Sequence, residues 1–168
     1  MTERPEQYVQ RIIAYVEGQD PIAVQASTAE RLEQLVSGAS PTALCARPAA
    51  GRWSAGEIIA HLADAEIVIG FRMRLVLGAP GAAIVAYDQD AWVTSGHYEK
   101  RDPDDSLEQF RVLRQANLAL LELLTPEQWT QHGVHSERGS ETIQQMVALC
   151  AGHDINHLQQ IERLVGSR

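Results

Sequence analysis

Cysteine is scarce. Cys45 and Cys150 are the only two in 168 residues, far apart and without CxxC spacing, so neither a disulfide framework nor a cysteine-ligated zinc site is implied. Basic residues are few as well: 14 Lys and Arg against 22 Asp and Glu give a net charge of -8, and no basic cluster stands out. Nucleic acid and anionic membrane surfaces are therefore excluded as expected partners. Every apolar run is broken by His, Asp, Glu or Arg before about 18 residues, too short to cross a membrane. The opening residues, MTERPEQYVQ, are charged from the start and hold no apolar stretch of the secretory kind. The expectation is a soluble, cytoplasmic protein. No β-branched run alternates, and no repeat of about 20 to 50 residues is visible.

What the chain does have is helix signals and enough apolar content, 45%, for one core. A single domain over residues 1–168 is expected. A short amphipathic piece covers residues 5–17. Asp20-Pro21, an N-cap followed by Pro at the first helical position, opens a segment to about Val36. After a Gly, Ser, Ala and Pro-rich connector, Ser54 and Glu57 form an S-x-x-E capping box for a helix that Gly78 closes. Residues 78–104 carry Gly, Pro and Asp punctuation without a sustained period and read as a long connection. A third helix is expected over 106–124, where Leu107, Phe110, Arg114, Asn117, Leu121 and Leu124 recur at 3,4,3,4,3 spacing. Thr125-Pro126 ends it, and after a second connector a last helix runs over about 141–165. This is an all-α four-helix bundle. The long crossover between the second and third helices lets them lie parallel, which predicts up-down-down-up topology with the second and fourth antiparallel.

The last helix holds HDINHLQQIERL, residues 153–164. Its inward stripe is Ile143, Met146, Cys150, His153, His157, Ile161 and Leu164, so both histidines lie within the apolar face. Four residues apart, their β-carbons stand roughly 5 to 6 Å from each other, close enough for two imidazoles to converge on one ion. His61 lies at the edge of the apolar stripe of the second helix, roughly 10 Å from its N-terminus, and the pair lies roughly 12 to 18 Å from the C-terminus of its own helix. In an antiparallel pair those ends coincide. His61, His153 and His157 therefore arrive at one level as candidate ligands of one divalent metal, with positions left open for water or substrate. Zinc, nickel, iron or copper would suit such ligands. Neither histidine-bearing helix has the Glu-x-x-His motif of a di-iron bundle. His97 and His132 read as solvated; His135 reads as facing water, with a place at the site mouth as the sharper alternative.

The segment W-S-x-x-E-I-I-x-H-L-x-D-x-E (Trp53 to Glu66), the YDQDAW of the connector (Tyr87 to Trp92) and G-x-x-T-I…HDINHLQQI (Gly139 to Ile161) resemble the DinB-like superfamily of metal-binding four-helix bundles, in the right order from about Asp20 to Leu164. The resemblance implies an up-down-down-up bundle, one divalent metal on three histidines that map onto His61, His153 and His157, and a homodimer. Relatives with assigned chemistry include bacillithiol S-transferases and mycothiol-dependent maleylpyruvate isomerases.

The expected function is that of a metal-dependent enzyme acting on a small-molecule substrate. Its ion, Zn, Ni or Fe, would activate either a low-molecular-weight thiol, as in an S-transferase, or a water, as in a hydrolase. A non-catalytic, metal-stabilised binding or stress-associated protein is the alternative. Glu57 and Asp64, one turn to either side of His61, are the candidate general bases, although the capping box explains Glu57 and Asp64 could instead orient an imidazole. Asp154 is expected on a helix surface. Arg72 and Arg114, inside apolar faces, need carboxylates, for which Asp88 and Asp90 are candidates, with substrate-carboxylate binding as the alternative. Cys150 reads as packing. Trp92 and Tyr98 read as aromatic packing over the bundle end.

Overall fold

The computed structural model describes residues 4–166; the domain expectation of 1–168 includes five terminal residues outside that range. Four long helices make the bundle: α2 (Pro21–Val36), α4 (Ala55–Gly78), α6 (Pro103–Leu121) and α8 (Ile143–Gly166). Between and before them lie α1 (Pro5–Ala14), α3 (Pro41–Cys45), α5 (Gln89–Ser95) and α7 (Pro126–Trp129). The predicted caps form as the physics requires. Asp20 accepts from the Ile22 N–H, and Ser54 and Glu57 bond reciprocally at the start of α4. The third long helix begins earlier than 106, because Asp102-Pro103 repeats the signal of Asp20-Pro21: Asp102 caps the N–H groups of Asp104 and Asp105.

Directions follow from which ends meet. The start of α4 (Ile58, Ile59, Leu62) packs with the end of α8 (Leu158, Ile161), and the end of α4 (Met73, Val76) packs with the start of α8 (Ile143, Met146, Val147), so the two are antiparallel. Gln25 bonds the Val147 carbonyl and Thr28 bonds Asp154, so α2 runs parallel to α8. Phe110 shares the first cluster and Leu121 the second, which makes α6 parallel to α4. The topology is up-down-down-up.

Two apolar clusters fill the ends of the bundle, and a polar layer separates them. Arg114 of α6 donates to Glu66 of α4 at 2.8 Å and to Asp154 of α8 at 2.5 Å, and the Thr28 hydroxyl of α2 donates to Asp154 at 2.9 Å. One residue from each long helix thus joins one buried network. Asp154, expected on a surface, is fully buried, because α8 is covered by α1, α2 and α4 together. The partners of Arg114 are helical carboxylates, not Asp88 or Asp90.

The connectors contain strands that the sequence did not suggest. β1 (Ala83–Ile84) pairs parallel with β2 (His132–His135), which pairs antiparallel with β3 (Gly139–Thr142). In β2 the residues turned inward are Gly133 and His135, while Val134 is exposed. This inverted alternation hides the strand from an apolar-periodicity reading. A side chain at Gly133 would strike Ile84 and Val76, so the strand lies flat on the end of α4. At the other side of α8, Gly152 lets the backbone of α1 at Ile12 approach closely; a β-carbon there would meet the Ile12 carbonyl.

Candidate metal centre

His61 stands on the second turn of α4, and His153 and His157 stand one turn apart on α8. The His153 Nε2 lies 3.0 Å from the Nε2 of His61 and 3.0 Å from that of His157, and the three ligand atoms lie within 4.8 Å of one another. Two nitrogens each about 2.0 to 2.1 Å from one tetrahedral ion would be about 3.3 Å apart. The spacing found brackets that value, so these side chains could hold a metal ion. They also have the right protonation. Burial pushes His61 down to about 3, helped by His157, and pushes His153 well below its ordinary value. Burial likewise takes His157 to about 4, against the opposing pull of its Gln160 partner. All three imidazoles are neutral at pH 7, the form that ligates a metal.

Gln160 is the member of the centre that the sequence reading missed. Its Oε1 lies 2.9 Å from the His157 Nδ1, which places the ring proton on Nδ1 and leaves the Nε2 lone pair facing the other histidines. Trp53 forms a wall: its ring stacks on His157 at 6.5 Å and lies 5.0 Å from that of His61.

Two clefts meet the histidines. One of about 310 Å³ is lined by Ala65, Arg72, Tyr87, His135 and His153; the other, of about 790 Å³, by Arg52, Trp53, His157 and Gln160. Tyr8 of α1 and Gln89 of α5 line both, so α1 and α5 flank the approach to the centre.

The two candidate bases are held elsewhere. Asp64 accepts the Tyr98 hydroxyl at 2.6 Å and the Arg101 guanidinium at 3.0 Å, and none of its hydrogen bonds is to an imidazole. Glu57 pairs with Arg47 and accepts the Ser54 backbone N–H, and these partners hold its carboxyl below the usual range against the opposing effect of burial. His97 and His132 are exposed as expected. His135 is buried and lines the first cleft, so the solvent-facing reading does not hold. Arg72 bonds the Val85 carbonyl and lies over Tyr87 rather than meeting Asp88 or Asp90. Cys150 is within 3.6 Å of Arg114 and Glu66, at the edge of the polar layer.

A four-helix bundle with three converging histidines defines the class, and the comparisons agree with it. The DinB superfamily profile matches residues 26–161, and the chain belongs to that superfamily. A relative from Oceanobacillus iheyensis named "Putative metal-dependent hydrolase" is 27% identical over 138 residues, 79% of this chain and 76% of its own length. The "Putative metal-dependent hydrolase YfiT" of Bacillus subtilis is 29% identical over 115 residues, 68% of this chain and 65% of its own length. The solved structure of YfiT, described as having "an unusual four-helix bundle topology", matches in fold with a TM-score of 0.82 at 24% identity, covering 99% of this chain and 90% of that one.

Proposed function

We propose that this chain is a metal-dependent enzyme whose three histidines, His61, His153 and His157, hold one divalent ion, with a low-molecular-weight thiol as the activated group. The observation that carries the metal is the convergence of three imidazoles, with one ligand nitrogen from each within 4.8 Å of the others and Gln160 fixing the tautomer of His157. When bound, such an ion supplies Lewis acidity at open positions, where a thiol or a water loses its proton near neutral pH. The surroundings favour the thiol. Asp64 is neutralised by Arg101 and Glu57 by Arg47, so neither stands free to protonate the leaving group of a hydrolysis. A thiolate that displaces halide from a haloalkane needs no such proton. The chain's own residues then shape the site: Trp53 shields the His61 and His157 rings, and α1 and α5 present Tyr8 and Gln89 at the approach.

Hydrolysis is the second reading, supported by the names of the relatives. Protein loaded in turn with Zn, Ni and Fe(II), offered haloalkane and epoxide electrophiles with and without a thiol and a panel of esters and amides without one, separates the two. Thiol-dependent loss of the electrophile supports the first reading. Ester or amide cleavage without thiol supports the second, and a protein that binds metal yet turns over neither class is a metal-stabilised binding protein.

The reading includes a homodimer. Ile67 and Phe71, one turn apart on α4, are 48% and 64% exposed, an apolar pair that a second copy would cover. Light scattering at micromolar concentration tests this, with the mass of a dimer expected and that of a monomer contradicting it.

A further inference from the structure

The structure assigns a second polar subsite to the smaller cleft: we propose that Arg72 and His135 bind a carboxylate of the substrate beside His153. The inference rests on the metal-enzyme reading above and narrows its substrate to small carboxylate-bearing molecules.

Arg72 is the first observation. It projects from α4 into the cleft, where its Nη2 donates to the Val85 carbonyl at 2.8 Å and its guanidinium carbon lies 5.7 Å from the Tyr87 ring centroid. One of its five N–H groups is used, and among the described residues the other four meet no acceptor. Three other arginines are matched by carboxylates, Arg101 by Asp64, Arg114 by Glu66 and Asp154, and Arg138 by Glu141, while Arg74 donates to the Gly70 carbonyl and to Asn117. Among the described residues no carboxylate lies within ion-pair distance of Arg72. Burial and the charge of Arg138 hold its pKa below the ordinary value, against weaker support from Tyr87, Glu141 and Glu137. A half-buried cation without a counterion is matched by an anionic ligand.

His135 is the second and independent observation. The residue is 2% exposed, and its Nδ1 accepts the backbone N–H of Glu137 at 3.2 Å, so the neutral ring carries its proton on Nε2. That Nε2 is buried and has no partner among the described residues. Buried donors are almost always satisfied, and an unsatisfied one lining a cleft marks a place for an acceptor. The fold brings the two donors together: His135 pairs with Ile84 across β1 and β2, and Arg72 is anchored on Val85, the next residue.

Charge and size specify the ligand. Arg72 contributes one unpaired positive charge and His135 a neutral donor; on the same rim Arg138 is already paired with Glu141, and the exposed Glu137 opposes a second negative charge. A singly charged, planar carboxylate fits this set better than a phosphate dianion. At about 310 Å³ the cleft is at the small end of ligand sites.

Two arms test the subsite. In the first, cobalt-loaded protein is titrated with 3-mercaptopropionate and with 2-mercaptoethanol, followed by the visible spectrum. The carboxylate thiol is expected to bind about tenfold tighter, and Arg72→Gln to abolish the preference while cobalt content stays at one per chain. His135→Phe should remove part of it, and Arg72→Lys should restore part of what Arg72→Gln loses. Equal affinities for the two thiols, or a preference that survives Arg72→Gln, overturns the proposal. In the second arm, metal-free protein labelled with nitrogen-15 is titrated with butyrate and with neutral butyramide. Butyrate alone should shift the Arg72 Nε–Hε resonance, and an unmoved resonance again overturns the subsite. Protein that takes up no cobalt refutes the metal reading by itself, and the second arm then still decides the carboxylate site.

Discussion

The work of the candidate centre at the residue scale is done by hydrogen bonds that fix tautomers. Gln160 holds the Nδ1 proton of His157, so removing it frees the ring to turn and to offer the wrong nitrogen. Gln160→Ala is expected to weaken metal binding about 10- to 100-fold with little change in stability, measured by competition with a chromophoric chelator. The histidines themselves were legible because their place in an apolar stripe and their matching depth on antiparallel helices are periodic facts. Gln160 was not, since a glutamine three residues beyond a histidine looks like any exposed polar position until the bundle closes around it. Asp154 was misread for a related reason. Its angle from His153 suggested solvent, yet three helices cover α8 and bury the wider arc.

Among the elements, the bundle is held by an ionic layer as well as by its two apolar ends. Arg114 joins α6 to α4 and α8 in a setting where each group is almost fully buried. Arg114→Leu leaves Glu66 and Asp154 buried without their cation and is expected to lower stability by about 3 to 5 kcal/mol, read from the urea midpoint. The sequence placed Arg114 on an inward face, and that held. Its partners were unreadable, because which carboxylates meet it depends on how the helices are rotated about one another. A second test concerns α1, which rests on α8 through Gly152 and lines both clefts with Tyr8. Gly152→Val should displace α1, with amide exchange over residues 5–14 accelerated at least tenfold and the long helices protected as before. The small sheet escaped the sequence reading because β2 turns glycine and histidine inward and valine outward, and its brevity leaves the periodicity of the four long helices to dominate.

For the whole molecule, the up-down-down-up path follows from a crossover long enough to bring α6 back parallel to α4, and it makes α4 and α8 antiparallel neighbours. That arrangement sets His61, near the start of one helix, beside His153 and His157, which straddle the middle of the other. No described helix is long and apolar enough to cross a membrane. Because the centre joins α4 to α8, metal that binds only the folded state stabilises the whole bundle: at about 1,000 times its Kd the gain is about 4 kcal/mol, or roughly 10 °C in Tm for a chain of this size. Removal of metal with a chelator should reverse that shift, and an unchanged Tm would separate the centre from stability. The most direct measurement is metal content with the coordination shell: elemental analysis of untagged protein, with X-ray absorption at the edge of the metal found. The account predicts about one divalent ion per chain with three imidazole nitrogens at about 2.0 to 2.2 Å, lost in His157→Ala. Protein that takes up no divalent ion at micromolar concentration, or a His157→Ala variant that binds as much as its parent, would contradict it.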